Sequence, residues 1–282
     1  MEVQLNTLYV VTRGATLRRD HLTIRVVVEK QTRLVVPIHQ LEGVALFGRV
    51  HVTADVLHLC AEHGVAVSFL EESGRLLSRV DAPGSGNVLL RRTQFRWADL
   101  PERRANVSRA VVAGKVQNAR NLLLRAAREA PDEDDRQTLQ SAAERLADTV
   151  RALADVHDAD VARGHEGDAA RVYFGAFSAM VRQNREAFRL MQRSRRPPLD
   201  AVNALLSFLY ALLLQDCVAA AAAAGLDPSV GFLHTDRPGR PGLVLDLMEE
   251  FRPLAADRLA LALVNRQQVK PGGDVYLRRP GE

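Results

Sequence analysis

The sequence has 282 residues, 47% of them hydrophobic and 26% charged, enough to fill one large core or two ordinary ones and far from the composition of a disordered chain. Its formal net charge of +4 suits a polyanionic partner only if the positive charge is concentrated somewhere along the chain. Cys60 and Cys217 are far apart in apolar helical patterns, so buried free thiols are expected rather than a disulfide or a cysteine zinc site. The opening MEVQLNTLYVVTRG has no basic segment followed by an apolar run, so no signal peptide is expected and the protein is expected in the cytoplasm.

From Val3 to about Val80 short β-rich runs alternate with turn residues: Gln4 to Thr12, Leu22 to Val28, Arg33 to Ile38, Gly43 to Phe47, Val65 to Leu70 and Arg75 to Val80. One helix interrupts them, with Thr53 as N-cap, an apolar face of Val56, Leu59 and Cys60, and Gly64 as the residue that stops it. DAPGSGN, Asp81 to Asn87, reads as a turn-rich hinge. Beyond it the pattern turns helical, with helices expected over Arg103 to Ala130, Arg136 to Asp155, Asp168 to about Phe188 and Pro198 to Gly225. The stretch Leu205 to Leu226 is apolar enough to raise the question of a membrane span, but Gln215 and Asp216 interrupt it, and a buried core helix is expected. The fold class is therefore α+β. A small β domain over 1–81 is joined by a linker over 82–92 to a mostly α-helical domain over 93–282.

Charge is segregated along the helical part. Between Asn87 and Arg128 ten basic residues face only two acids, Asp99 and Glu102, whereas Asp132 to Asp160 holds nine acids against three arginines. The acidic run Asp132 to Asp135 suits a helix N-terminus. The basic stretch reads either as a solvated arginine-rich face or as a surface that tracks phosphates. Its candidate DNA contacts are Arg91, Arg92, Arg96, Arg103, Arg109, Lys115 and Arg120. A second basic cluster, Arg189, Arg193, Arg195 and Arg196, precedes the proline pair at Pro197 and Pro198 and is a further candidate.

Three motifs carry acids or histidine in the helical part. In GHEGDAARVYF, Gly164 to Phe174, Glu166 stands between a glycine and an apolar helical pattern, where it could equally stabilise a helix dipole. In GFLHTDRPGRPG, Gly231 to Gly242, an apolar run delivers His234 to a loop rich in glycine and proline. In LVLDLMEEFRP, Leu243 to Pro253, Asp246 and Glu249 are three apart and share one face if the segment is helical. Carboxylates held together repel unless a cation lies between them.

Together with LLRRTQFRWAD, GKVQNARNLL and RRPPLDAVNALLSFLYALL, these motifs resemble those of the CRISPR-associated integrase family, in the family's order and over nearly the whole chain. LNTLYVVTRGATL, LEGVALFG and GNVLLRRTQ resemble the branch found with type I-C systems. The resemblance implies that Glu166, His234 and Glu249 are catalytic metal ligands. Asp246 is a nearby carboxylate that could bind or orient the metal, because other members place Asp where this chain has Glu249. Tyr173, Asn203, Ser207 and Tyr210 lie in matching motifs and could line the site, or could simply pack. Mg²⁺ or Mn²⁺ is the implied ion; a mixed carboxylate and imidazole set tolerates Mn²⁺ better.

The resemblance further implies a metal-dependent DNA endonuclease and integrase that inserts prespacer DNA into a CRISPR array by attack of a 3′ hydroxyl on a phosphodiester. It implies double-stranded DNA as substrate, a homodimer formed through the N-terminal region and a small ferredoxin-like partner bridging two dimers. A prespacer-trimming iron–sulfur exonuclease is a further candidate partner. Family members usually continue with more helices after VNRQQVKPGGDVYLRR, 264–279, whereas this sequence ends at Glu282. A non-catalytic DNA-binding scaffold of the same fold is the alternative. A zinc protease helix is excluded because Ala169 stands where a second histidine would be needed, and no phosphate-cradling glycine loop follows Gly84, Ser85 and Gly86.

Overall fold

The computed structural model describes residues 2–4, 6–80, 87–194 and 197–270. The chain divides into two compact units, 1–86 and 87–282.

In the first unit, β-branched and aliphatic residues alternating at period two build two sheets. The five-stranded sheet runs in the order β1 (Glu2–Gln4), β2 (Thr7–Val10), β6 (Gly43–Phe47), β8 (Ala66–Leu70) and β9 (Leu76–Val80), with β2, β6 and β8 parallel and the two edges antiparallel. The four-stranded sheet has the order β5 (Gln31–Pro37), β4 (Thr23–Val28), β3 (Thr16–Asp20) and β7 (His51–Val52). Leu8, Val10, Leu17, Ile24, Val26, Val44, Leu46 and Val67 meet in one core with Val56, Leu59 and Cys60 of α1 (Ala54–Glu62). Thr53 has the extended backbone of an N-cap, but its hydroxyl makes no capping bond. Gly64 ends α1 at φ +69°, letting Val65 N–H return to Cys60 O at 2.8 Å. Strands β3 and β7 fall outside the expected runs. In TLRRD only Leu17 faces the core, so the alternation that marks a strand is too thin to see.

The second unit is built around α3 (Pro101–Glu129). Its residues Ala105, Ser108, Val112, Val116, Ala119, Leu123 and Ala127 recur every three or four positions and bury one seam. Against it pack α2 (Val88–Asp99), α4 (Glu133–Ala152), α5 (Ala159–Gly175) and α7 (Gly242–Phe251). Residues 88–92, expected to be linker, are instead the first turns of α2, capped by Asn87 Oδ1 accepting from Leu90 N–H at 3.2 Å. Asp132 caps α4 by accepting from Asp134 and Asp135 N–H, the role expected of that acidic run.

The helix expected over 168–188 lies earlier. Asp158 caps α5 by accepting from Asp160 and Val161 N–H, and the helix ends at Gly175. Gly164 and Gly167 face open space inside the helix, where a glycine costs only about 1 kcal/mol. The apolar stretch forms α6 (Ala201–Ala223), long and apolar enough to cross a membrane. Its Val202, Leu205, Leu206 and Leu209 lie in the helical core. After α7 the chain continues as a π-helical turn, Arg252–Asp257, into α8 (Arg258–Asn265).

Candidate metal centre

Glu166 projects from the middle of α5, His234 from the loop over 226–241, and Glu249 from α7; all three converge beside α3. The chain reaches this arrangement by fixing the loop against α7 in two reciprocal ways. The loop carbonyls of Pro228 and Ser229 accept from the N–H groups of Gly242, Leu243 and Val244, satisfying the otherwise orphaned donors of the helix start. Asp246, four residues into α7, returns its carboxylate to the loop. Oδ2 accepts from Phe232 N–H at 2.6 Å and Leu233 N–H at 3.0 Å, and Oδ1 accepts from His234 N–H at 2.9 Å. This close seating needs glycine at two positions. A Cβ on Gly231 would lie 2.6 Å from Gly242 C, and one on Gly242 would lie 2.7 Å from Ser229 O.

Three long side chains hold the same loop from other helices. Gln94 of α2 clamps it, its amide donating to Asp227 O at 2.8 Å and Val230 O at 2.9 Å while accepting from Asp227 N–H at 2.8 Å. Arg104 of α3 donates to Phe232 O at 2.9 Å, and Arg163 of α5 donates to Leu233 O at 3.3 Å. None of these roles was visible in the sequence, because each joins residues 70 or more positions apart.

His234 Nδ1 lies 2.7 Å from Asp246 Oδ1, so the proton belongs on Nδ1 and Nε2 is left as the free donor atom. Asp246 is 1% exposed and its oxygens are spent on three N–H groups and this imidazole. These bonds hold the His234 backbone and ring against Asp246, the arrangement of a carboxylate that orients an imidazole from behind. Glu249 differs. Its Oε1 pairs with Arg252 Nη1 at 3.1 Å and lies 4.0 Å from His234 Nε2, while Oε2 meets Lys115 as an ion pair. Burial by itself would push the Glu249 carboxyl up, but the charges of Arg252 and Lys115 overcome this and hold it below the usual carboxylate range.

Lys115, grouped by sequence with the candidate DNA-contacting arginines, lies between the two glutamates. Its ammonium touches both Glu166 and Glu249, and its side chain is 11% exposed. One signal could have singled it out: it is one of three lysines, with Lys30 and Lys270, in a chain whose other fixed cations are arginines. Among the described residues no three carboxylates, imidazoles or thiols close around one point, and the ammonium lies between the two glutamates. The donor set nonetheless fits a divalent cation: two carboxylates and an imidazole nitrogen oriented from behind.

A cavity of about 50 Å³ adjoins Glu166, lined also by Lys115, Tyr173, Tyr210, Arg252 and Asp257 among others. Tyr173 and Tyr210 donate to Asp257 at 2.9 and 2.6 Å. Burial pushes the Asp257 carboxyl up to about 6 despite these bonds, and burial followed by the nearby Asp257 charge pushes both phenols well above their ordinary range. Asn203 and Ser207 do not join this lining. The Asn203 amide bonds Arg193, Ser194, Gln192 and Asp200, and the Ser207 hydroxyl donates back to Asn203 O.

Of the remaining basic candidates, Arg92, Arg96, Arg103 and Arg189 are exposed, and Arg103 lies 5.1 Å over the Trp97 ring. Arg91 is exposed but donates to Gly225 O at 3.2 Å. Arg109 is tied to Ala154 O and Asn106, Arg193 is drawn inward to Asn203 and over Tyr210, and Arg120 is half-buried. Arg195 and Arg196 lie outside the described residues.

The family described as CRISPR associated protein Cas1 matches residues 8–278. CRISPR-associated endonuclease Cas1 1 of Moorella thermoacetica is 47% identical over 284 residues, which span 98% of this chain and 83% of the relative. A CRISPR-associated exonuclease Cas4/endonuclease Cas1 fusion of Rhodospirillum rubrum is 35% identical over 272 residues, 95% of this chain and 46% of the fusion. Among solved structures, a Cas1 protein from Thermotoga maritima superposes with TM-score 0.78 at 25% identity over 94% of this chain and 80% of that one. A casposase bound to integration product shares the fold, with TM-score 0.78 at 22% identity, over 98% of this chain and 79% of that one. The chain belongs to the Cas1 family of CRISPR-associated endonucleases.

Proposed function

We propose that this protein is a metal-dependent endonuclease and integrase of CRISPR adaptation, in which Glu166, His234 and Glu249 hold Mg²⁺ or Mn²⁺. The observation that carries the reading is the convergence of two carboxylates and one oriented imidazole from three separate elements beside the cations Lys115 and Arg252. When bound, the ion supplies Lewis-acid polarisation of the scissile phosphate and stabilises charge on the leaving oxygen. The rest belongs to the protein. Asp246 and the clamps on the loop keep His234 Nε2 facing Glu249, and Arg252 adds fixed positive charge where a phosphate would lie.

In strand transfer a 3′ hydroxyl oxygen forms a bond to phosphorus as the bond to a 3′ oxygen breaks. The number of phosphodiester bonds is conserved, so no nucleotide cofactor is needed. Exposed Arg92, Arg96, Arg103 and Arg189 are the proposed phosphate contacts on double-stranded DNA. The resemblance to the type I-C branch, a cytoplasmic location, homodimerisation through the N-terminal unit and a small ferredoxin-like bridging protein complete the reading. The Cas4/Cas1 fusion among the relatives supports an exonuclease partner.

The test is an integration assay with a supercoiled target, a duplex with free 3′ ends and the purified bridging partner, with and without Mn²⁺. Metal-dependent strand transfer by the wild type, lost in His234→Ala, is expected. DNA binding without metal-dependent cleavage or transfer would mark a scaffold instead.

A further inference from the structure

Lys115 stands where two carboxylates, one buried and one partly exposed, would otherwise repel, and its placement is enforced. On α3, Asn118 donates to Glu250 O at 2.9 Å, and Gly114 lies under the Glu250 side chain, so close that a Cβ there would come within 2.9 Å of it. These contacts set the register of α3 on α7 and aim Lys115 at Glu249. Its ammonium bridges Glu249, with a side chain 3% exposed, to Glu166, 22% exposed, across two other helices. Arg252 already pairs with the other oxygen of Glu249.

Two carboxylates matched by two cations are neutral as they stand. A divalent ion bound to both Glu166 and Glu249 at roughly 2.0 to 2.6 Å would compete with the ammonium for the same two carboxylates, and would bring two further positive charges. Ammonium and metal cannot share that point. Lysine suits the exchange, since its charge is compact and its four-carbon arm flexible, whereas the planar fork of arginine would hold a carboxylate more rigidly.

We propose that Lys115 is a built-in counter-ion that holds the two glutamates together in the metal-free protein and is displaced when a divalent cation binds. It is a positioning residue, acting through Glu166 and Glu249. The proposal rests on the metal reading of the site, and the experiment separates the two.

Mn²⁺ binding is titrated, by calorimetry and by electron paramagnetic resonance of the free ion, into the wild type, His234→Ala and Lys115→Met, with melting temperatures recorded with and without metal. Lys115→Met should bind Mn²⁺ roughly tenfold or more tightly than the wild type, because the competing state is gone. It should melt lower without metal and show the larger Mn²⁺-induced rise. Wild-type binding that His234→Ala does not weaken would overturn the metal reading and this proposal with it. Binding that His234→Ala weakens but Lys115→Met leaves unchanged or loosens would overturn the counter-ion role alone.

Should Lys115→Met not fold, the wild type supplies the measurement. Labelling with lysine carrying ¹³C at Cε yields resonances from three side chains, Lys30, Lys115 and Lys270. The Lys115 signal, identified with Lys30→Arg and Lys270→Arg, should shift with the same midpoint as Mg²⁺ binding. A signal that stays in place at saturating Mg²⁺ would overturn the displacement.

Discussion

Asp246 Oδ1 accepts both the backbone N–H and the ring Nδ1–H of His234, at 2.9 and 2.7 Å, so a single carboxylate sets the position and the tautomer of the imidazole. Its other oxygen accepts the two preceding N–H groups of the same loop. Asp246 and His234 therefore form one unit with separable structural and chemical parts.

Substitution should pull those parts apart. Asp246→Ala orphans three buried N–H groups at about 1 to 3 kcal/mol each, so a destabilisation of about 3 kcal/mol or more is expected in urea unfolding. His234→Ala removes a half-buried ring and should leave stability nearly unchanged while abolishing Mn²⁺-dependent strand transfer. Equal loss of stability in the two variants would contradict the division.

Backbone contact at the loop makes its glycines intolerant. Gly231→Ala places a methyl 2.6 Å from Gly242 C and 2.7 Å from His234 O, with no flexible side chain to yield. A cost of about 1 to 3 kcal/mol is expected, together with weaker Mn²⁺ binding as His234 is displaced. Gly164→Ala faces open space inside α5 and should stabilise instead.

Asp257 carries a pH dependence of definite sign. Its carboxyl titrates at about 6 in the fold and at about 3.9 when unfolded, so between these values the native state holds the extra proton and stability falls as pH rises. In Asp257→Asn the amide can still pair with both tyrosine hydroxyls and no longer ionises. Relative to the wild type, this variant should gain about 2 to 3 kcal/mol between pH 4 and pH 7. Urea midpoints measured across that range check it, and a constant difference would show that Asp257 is not ionising in the fold.

Exposed arginines should govern affinity rather than chemistry. Replacing Arg92, Arg96 and Arg103 by alanine should lower the slope of log K against log salt by about 0.9 for each duplex phosphate that is no longer neutralised. Arg109→Ala should act on stability instead, since that guanidinium is tied to Ala154 O and Asn106. An unchanged slope in the triple variant would make the stretch a solvated face.

Local rules were enough for much of the fold. The seam from Ala105 to Ala127, the strands around Val26 and Val44, the stop at Gly64 and the cap at Asp132 are written in spacing and turn chemistry, which involve neighbours a few residues apart. So was the pairing of Asp246 with Glu249 on one helical face. What those residues do was decided only by the tertiary structure. Two carboxylates three apart look alike until the loop over 226–241 lies across the first of them and hydrogen-bonds it fully, leaving the second to face Lys115 and Arg252. Lys115 resembled its basic neighbours because charge type carries no information about direction. It came to lie between the two glutamates because α3 passes between Glu166 and Glu249, residues 51 and 134 positions away, and electrostatic neighbours at such separations are set by packing rather than by local sequence.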